Sequence, residues 1–318
     1  MESFDKIKAL IEASDTIALL PHVNVDGDAF GSCNAFANFL RKMGKSVDVV
    51  LEEETHLLKI LDADCLVFDG FEKNYDAVFA IDCAGLDRLG KRAVLYKGKT
   101  ACIDHHKTDG SFGDINHTES DSAATGEIIY CLMKYIDDSL IDTSIAEFIH
   151  MAIVSDSGCF KYSNTSERTH RIAGELLRFD GRFSVINREL FDTVSLKKLK
   201  IQSEAVNEMK ITDDGKIAFY CLSYDRFCEL GLSLGDVDFI SNILKNIEGV
   251  SVGAFLREKE YGLYKVSLRT DESVDASVVA KAFDGGGHDR AAGFSVSGDL
   301  SEITERILDK IYSVREDI

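Results

Sequence analysis

Two textures of apolar and polar positions divide the chain. Over residues 1–190, short apolar runs alternate with stretches of helical spacing. TIALL, from Thr16 to Leu20, predicts a strand that ends at HVNVDGDAFGS. A helix through NAFANFLRKM follows and stops at Gly44, where a helix commonly ends. KSVDVVLE predicts a second strand, and YDAVFAID and TACIDHH two more, with helical patches between them. Buried strands alternating with helices predict a parallel sheet covered on both faces. In open sheets of that kind ligands sit beyond the carboxyl ends of the strands. The polar clusters closing TIALLPH, VFAID and ACIDHH are therefore expected to share one edge. AATGEIIYCLMKYI, SIAEFIHMAIVSD and SERTHRIAGELLRF carry apolar residues at helical spacing.

The stretch FSVINRELFDTVSLKKLKIQSEAVNEM is helical but more polar, and it predicts a connecting helix over 191–212. From 213 to 318 the texture changes. KIAFYCLS, VSVGAFLRE, LYKVSLRT and GFSVSG read as strands, and DFISNILKNI, DASVVAKAF and SEITERILDKIYSV as helices. The fold class is thus α/β, with an N-terminal parallel sheet and a smaller C-terminal mixed α/β domain joined by a helical linker.

Composition narrows the classes. At 318 residues the chain is too long for one ordinary core, and 45% apolar content excludes wholesale disorder. No apolar run approaches the ~20 residues of a membrane span. The opening MESFDKIKALIEASD is charged and lacks the apolar stretch of a secretory signal, so a cytoplasmic protein without membrane partners is expected. The 55 acidic and 36 basic side chains give a formal net charge of −19, which disfavours sequence-independent duplex binding. Small phosphorylated ligands remain open to it if a metal or a local Arg cluster reverses the sign. Eight cysteines without CxxC spacing, mostly inside apolar segments, read as free buried thiols rather than disulfides or zinc ligands.

Four segments then deliver acids and histidines. The first, H-x-N-x-D-G-D, carries His22, Asn24, Asp26 and Asp28, with Gly27 expected to permit an unusual turn. The second ends at Asp82, the third at Asp104, His105 and His106, and the fourth at Asp156 within SDSGCF. Taken singly, each acid is explained as a turn former or helix cap. Together, carboxylates converging on one edge repel unless protonated or bridged by cations. Mixed carboxylate and imidazole donors suit Mn(II) or Mg(II), and paired ions are a common solution for cleaving phosphate esters.

HVNVDGD, AID, DHH and SDSG, in that order, resemble the four motifs of the DHH phosphoesterase family, and GGGHDRAAGF at 285–294 looks like the signature of its DHHA1 domain. Length and layout look most like the NrnA-type oligoribonuclease and phosphoadenosine-phosphate phosphatase branch. The family usually has Pro where Val25 stands, and Thr is common at the positions of Ser155 and Ser157. The resemblance implies one ion held by His22, Asp26 and Asp82, and a second held by Asp28, Asp82, His105 and Asp156, with Asp82 shared. It implies two Mn(II), or Mg(II), generating a bridging hydroxide that attacks phosphorus in line. His106 would steady the phosphate or leaving oxygen, and Asp104 would orient a histidine. Arg269, Gly285, Gly286, Gly287 and His288 would bind substrate, with Arg257 and Arg290 as weaker candidates. The implied substrates are single-stranded RNA of a few residues and 3′-phosphoadenosine 5′-phosphate, and the implied assembly a homodimer.

Other residues carry duller readings. GGGH alone reads as a helix end and turn. His150 reads as a satisfied core histidine and His56 as a surface one, while His117 and His170 lie outside the motifs. Phe160 and Tyr162 are open between base stacking and packing, and Thr125 between lining the phosphate site and starting a helix. The competing functions are a phosphodiesterase for linear dinucleotides such as pApA and pGpG, a family II pyrophosphatase, a non-catalytic nucleotide sensor, and a structural interaction protein.

Overall fold

The structure is a computed structural model that describes residues 2–107 and 111–315. It divides into two compact units, residues 1–193 and 194–318. The first unit runs α1 (Glu2–Glu12), β1 (Thr16–Pro21), α2 (Gly27–Lys42), β2 (Ser46–Leu51), β3 (Cys65–Val67), β4 (Ala77–Ile81), β5 (Thr100–Asp104) and β6 (Ile115–Thr118). It continues through α3 (Thr125–Asp137), α4 (Thr143–Asp156), α5 (Glu167–Leu176) and α6 (Phe183–Asn187). Its six strands are all parallel, in the order β3-β2-β1-β4-β5-β6. Strand order therefore reverses between β1 and β4, the place where doubly wound sheets leave a crevice beyond their carboxyl ends.

Period-two alternation sends the odd-numbered strand residues to one core. Ile17, Leu19, Val49, Phe79, Ile81 and Ile103 pack there beneath apolar residues of α1 to α4. The even-numbered Ala18, Leu20, Val50, Val78, Ala80 and Cys102 face a smaller cluster. Regular helices do not cover this second face as expected. The β4–β5 crossover forms short 3₁₀ turns over Leu86–Leu95, broken at Gly90, whose φ of 58° no continuing helix can accept. Half-buried Phe68, Phe71, Tyr96 and Phe112 complete the cover.

Helix α2 begins at Gly27, earlier than the apolar spacing predicts, because Asp26 caps it: Oδ1 accepts from the amides of Asp28 and Ala29. It packs closely on α4. A Cβ on Gly27 would lie 2.7 Å from the Ser155 side chain, and one on Gly31 2.4 Å from the Phe148 carbonyl oxygen. The two glycines, one turn apart, thus let the backbones approach. The left-handed residue of the first acidic segment is Asn24, with φ of 54°, rather than Gly27.

The second unit contains α7 (Leu196–Glu208), β7 (Lys210–Ile211), β8 (Ile217–Leu222), α8 (Tyr224–Glu229), α9 (Ile240–Lys245), β9 (Val252–Glu260), β10 (Leu263–Thr270), α10 (Ala276–Lys281), β11 (Gly286–His288), β12 (Ala291–Ser297) and α11 (Leu300–Val314). The helix expected as a connector is α7, whose Ile201 and Ala205 are buried with Tyr220, Leu244 and Phe255 of this unit. The sheet order is β11-β12-β10-β9-β8-β7, with β8 and β9 parallel and the other pairs antiparallel. All eight cysteines are free, but only Cys33, Cys83 and Cys102 are buried; Cys65, Cys131, Cys159 and Cys221 are half-buried and Cys228 is exposed. No helix among the described residues is long and apolar enough to cross a membrane.

Gly31→Ala is expected to lower stability by about 1–3 kcal/mol, since its Cβ meets backbone that cannot swing aside. Gly174→Ala in α5 meets nothing within 4 Å and should stabilise by roughly 0.5–1 kcal/mol. Denaturant midpoints of the two variants check the contrast.

Candidate metal centre

Each segment reaches the β1/β4 switch point by a different local device. His22 follows β1, and its Nδ1–H donates to the Val23 carbonyl at 2.6 Å, which leaves Nε2 free as a ligand atom. Asp82 follows β4 with φ of 57°, a left-handed backbone that costs a non-glycine residue about 1–3 kcal/mol. His105 follows β5, and its Nδ1–H donates to the Ser122 carbonyl at 3.1 Å. Asp156 comes from no strand: it closes α4, where the helix dipole disfavours an anion.

The arrangement forms two groups, and Asp82 lies beside the imidazole of each. His22 Nε2 lies 3.5 Å from Asp26 Oδ2 and 3.6 Å from Asp82 Oδ2. His105 Nε2 lies 3.2 Å from Asp156 Oδ2, 3.7 Å from Asp82 Oδ1 and 3.8 Å from Asp28 Oδ2. One ligand atom from each of His22, Asp26 and Asp82 fits within 4.8 Å of the others, and so does one from each of Asp28, His105 and Asp156. The structure therefore brings together all six residues expected to ligate metal. His105 Nε2 is buried and makes no acceptable hydrogen bond, an orphan that a cation would satisfy.

His106 and Asp104 take other positions. Asp104 Oδ1 accepts from His106 Nδ1 at 2.7 Å and from the His105 amide at 2.9 Å. His106 also falls in a third ligand-sized group with Asp82 and His105, yet its Nδ1 is committed to Asp104. Its ring is 45% exposed, the most open of the three motif histidines.

Charge crowding dominates the electrostatics. Asp28 is fully buried and Asp82 is 1% exposed. Burial, then the neighbouring Asp82 and Asp156 carboxylates, pushes the Asp28 carboxyl well up. Burial, then Asp26 and Asp156, raises Asp82 to about 6. Burial opposes a charge on His105, but the Asp156 and Asp82 carboxylates outweigh it and hold the imidazole up at about 9. The bond to Asp104 likewise raises His106. Without a metal the centre keeps protons where a divalent ion would displace them. Carboxylate and imidazole donors together fit Mn(II) or Mg(II) better than a thiolate-seeking ion.

Of the groups behind Asp28 and Asp82, sequence reasoning named only Thr125, and left it open between site residue and helix start. Asp28 accepts from Ser32 Oγ at 2.9 Å, from the Thr125 amide at 2.6 Å and from the Gly126 amide at 3.0 Å. Helix α3, whose N-cap Ala124 offers no side-chain acceptor, thereby receives its cap from Asp28. Thr125 starts a helix and also donates from Oγ1 to Asp82 Oδ1 at 2.7 Å. Partners 97 residues apart carry no local spacing signal by which they could have been found.

In the second unit the register aligns Arg269 with Ala291, and Ala291 with His288, in one row across β10, β12 and β11. The three glycines before His288 do not close as a loop. Gly286 and Gly287 enter the edge strand β11 with His288. A Cβ on Gly285 would lie 2.5 Å from the Gly293 carbonyl, and one on Gly287 2.4 Å from the Ala291 carbonyl, so close strand approach demands them. Arg290 is tied down by Nη1 donating to the Asp271 carbonyl at 2.6 Å, and Arg257 lies over the Phe227 ring.

Outside the motifs, His150 is a buried, satisfied histidine, its Nε2 2.8 Å from Asn187 Oδ1. His56 is exposed, His117 lies between Ser3 and Glu119, and His170 stacks on Phe160. Tyr162 is exposed.

Residues 16–153 match the DHH family N-terminal domain, and residues 214–314 match the DHHA1 domain. A Streptococcus mutans protein named as a probable bifunctional oligoribonuclease and PAP phosphatase, NrnA, is 29% identical over 92% of this chain and 93% of its own. Its Bacillus subtilis counterpart is 27% identical over 90% and 91%. The crystal structure of an exopolyphosphatase-related protein from Bacteroides fragilis superposes with a TM-score of 0.89 at 25% identity, covering 98% of this chain and 96% of that one. Exonuclease RecJ bound to manganese shares the fold, with a TM-score of 0.55 at 12% identity over 98% and 94%.

Proton competition gives the metal a signed pH dependence. The metal-free chain draws stability from Asp82 that is present below pH 3.8 and lost as pH rises through about 6. His105 contributes stability present below pH 6.5 and lost through about 9. The rise in Tm produced by Mn(II) over a chelated control should therefore grow as pH increases from 6 to 9, which thermal unfolding scans at fixed metal concentration check. With both domain matches in sequence order and the residues of the four motifs converging beyond the ends of β1, β4, β5 and α4, this chain carries a DHH family N-terminal domain over residues 16–153 and a DHHA1 domain over residues 214–314.

Proposed function

We propose that this DHH-family phosphoesterase hydrolyses RNA of a few nucleotides to mononucleotides and 3′-phosphoadenosine 5′-phosphate to AMP. The observation that carries the reading is a pair of ligand-sized groups at the switch point, His22, Asp26 and Asp82 beside Asp28, His105 and Asp156, with Asp82 facing both imidazoles and an orphaned imidazole nitrogen between three carboxylates. The relatives named as oligoribonuclease and PAP phosphatase supply the substrate class. A site of one metal ligand set alone would bind a nucleotide; two sets around one shared carboxylate suit displacement at phosphorus.

His22, Asp26 and Asp82 hold one divalent ion in this reading, and Asp28, Asp82, His105 and Asp156 hold the other, as Mn(II) or Mg(II). When bound, such ions supply Lewis acidity to phosphoryl oxygens and a more acidic water. The chain's own residues do the rest. Val23 and Ser122 carbonyls fix His22 and His105 as Nε2 ligands. Asp104 fixes His106 with Nδ1 inward, which directs Nε2–H to the phosphate and the leaving oxygen. The ester P–O bond breaks as water oxygen bonds to phosphorus, and the leaving oxygen takes a proton. Arg269 and His288, with the glycines before His288, are the candidate phosphate-binding residues of the second unit. The homodimer implied by the family resemblance and the cytoplasmic location expected from the sequence belong to the same proposal.

A panel of short RNA, short DNA, longer RNA, pApA, pGpG and 3′-phosphoadenosine 5′-phosphate tests this, with Mn(II) and product analysis. Mononucleotides from short RNA and AMP plus phosphate from the bisphosphate are expected, with chelator abolishing both. Asp82→Asn should lose several orders of magnitude in turnover while its circular dichroism is kept. Undiminished turnover by that variant would remove the assignment, and exclusive cleavage of pApA or pGpG would replace the substrate.

A further inference from the structure

A segment outside all four motifs hydrogen-bonds three of the six residues of the centre and is tied to a fourth through Asn164. The Ser122 carbonyl accepts from His105 Nδ1. Asn164 Nδ2 donates at 3.0 Å to both the Ala123 and Asp156 carbonyls, tying this segment to the end of α4. The Thr125 and Gly126 amides hold Asp28. Thr125 Oγ1 holds Asp82. Residues 122–126 thus join the strand-borne ligands to the helix-borne ones.

Within this segment Thr125 has a role of its own. A carboxylate turns easily about its terminal torsion, because an sp³–sp² bond has broad, roughly two-fold minima. Asp82 must nonetheless present Oδ2 to the His22 side, at 3.6 Å, and Oδ1 to the His105 side, at 3.7 Å. Oδ1 is also the atom 2.7 Å from Thr125 Oγ1. Thr125 is fully buried, as its hydroxyl's partner nearly is, so no water competes for the bond. The hydroxyl is a donor that locks the plane of the shared carboxylate, while the same residue's amide locks Asp28.

Resting on the metal reading above, we propose that Thr125 is a positioning residue of the phosphoesterase centre: its hydroxyl sets which oxygen of Asp82 faces each divalent-ion site. The side chain touches neither ion nor substrate. It acts through Asp82, and its loss shows first in metal affinity. Supporting groups of this kind typically change metal affinity by about 10–100-fold when removed.

The test is calorimetric titration of Mn(II) into the metal-free full chain, in wild type and in Thr125→Ser, Thr125→Ala and Thr125→Val, with circular dichroism of each. Ser and Ala differ at this position by one oxygen, so they isolate the hydroxyl even if the Val variant fails to fold. Thr125→Ala and Thr125→Val should bind Mn(II) about 10–100-fold more weakly. Thr125→Ser should stay close to wild type, and its pH–rate profile should match. Wild-type affinity in the Ala or Val variant overturns the proposal, as does a Ser variant as weak as Ala, which would mean that the methyl group's packing mattered. A wild-type chain that binds no divalent ion overturns the metal reading itself together with this inference.

Discussion

Mutual repulsion among buried carboxylates is the constraint on which the first unit is organised. Asp28 and Asp82 are almost wholly removed from solvent, and Asp156 joins them around one imidazole. Such a cluster opposes folding unless hydrogen-bond donors, protons or cations answer it. Donors answer it in part: Ser32, the first two amides of α3 and the Thr125 hydroxyl all point at these carboxylates. Protons answer more, through the raised Asp28, Asp82 and His105. A divalent ion held by these carboxylates would answer the rest, so in the proposed reading the same crowding that opposes folding favours a cation.

Such crowding is only attainable because backbone packing enforces it. The carboxyl ends of β1, β4 and β5 come together because parallel pairing sets all three strands in the same direction. Asp156 arrives by a separate route. Gly27 and Gly31 let α2 settle against Phe148, Ala152 and Ser155 of α4, and that contact brings the last residue of α4 beside the first turn of α2. The left-handed Asp82 then turns a strand end into a carboxylate with one oxygen on each side. Strain is concentrated at that residue, while β4 before it is buried throughout and rigid.

In the second unit glycine acts through strand spacing. Gly285 and Gly287 each stand where a side chain would meet the backbone of β12. The result is an edge strand laid close on its neighbour, with His288 exposed at its end and Arg269 in the same row. A short polar edge of this kind leaves side chains accessible while its inner face still belongs to the sheet.

Much of this was legible along the chain. The apolar runs TIALL, VFAI and TACI bury on both faces, so they read as strands of a parallel sheet, and their polar ends as one edge. The order of the four acidic segments carried the family resemblance, and the six candidate ligand residues meet in space. The rest needed the fold. Spacing assigned the unusual backbone to Gly27, whereas Asn24 adopts it and Gly27 serves a helix contact with residues more than a hundred positions away. GGGH taken alone read as a helix end and turn, because nothing local reveals that β12 lies against it. Thr125 read equally as a helix start or a site residue, and it is both, since its amide and its hydroxyl reach Asp28 and Asp82 at once. Local sequence determines secondary structure and the chemistry of each side chain; which donor faces which carboxylate is decided only when distant segments pack, because hydrogen bonds act over a few ångströms of space and not over positions in the chain.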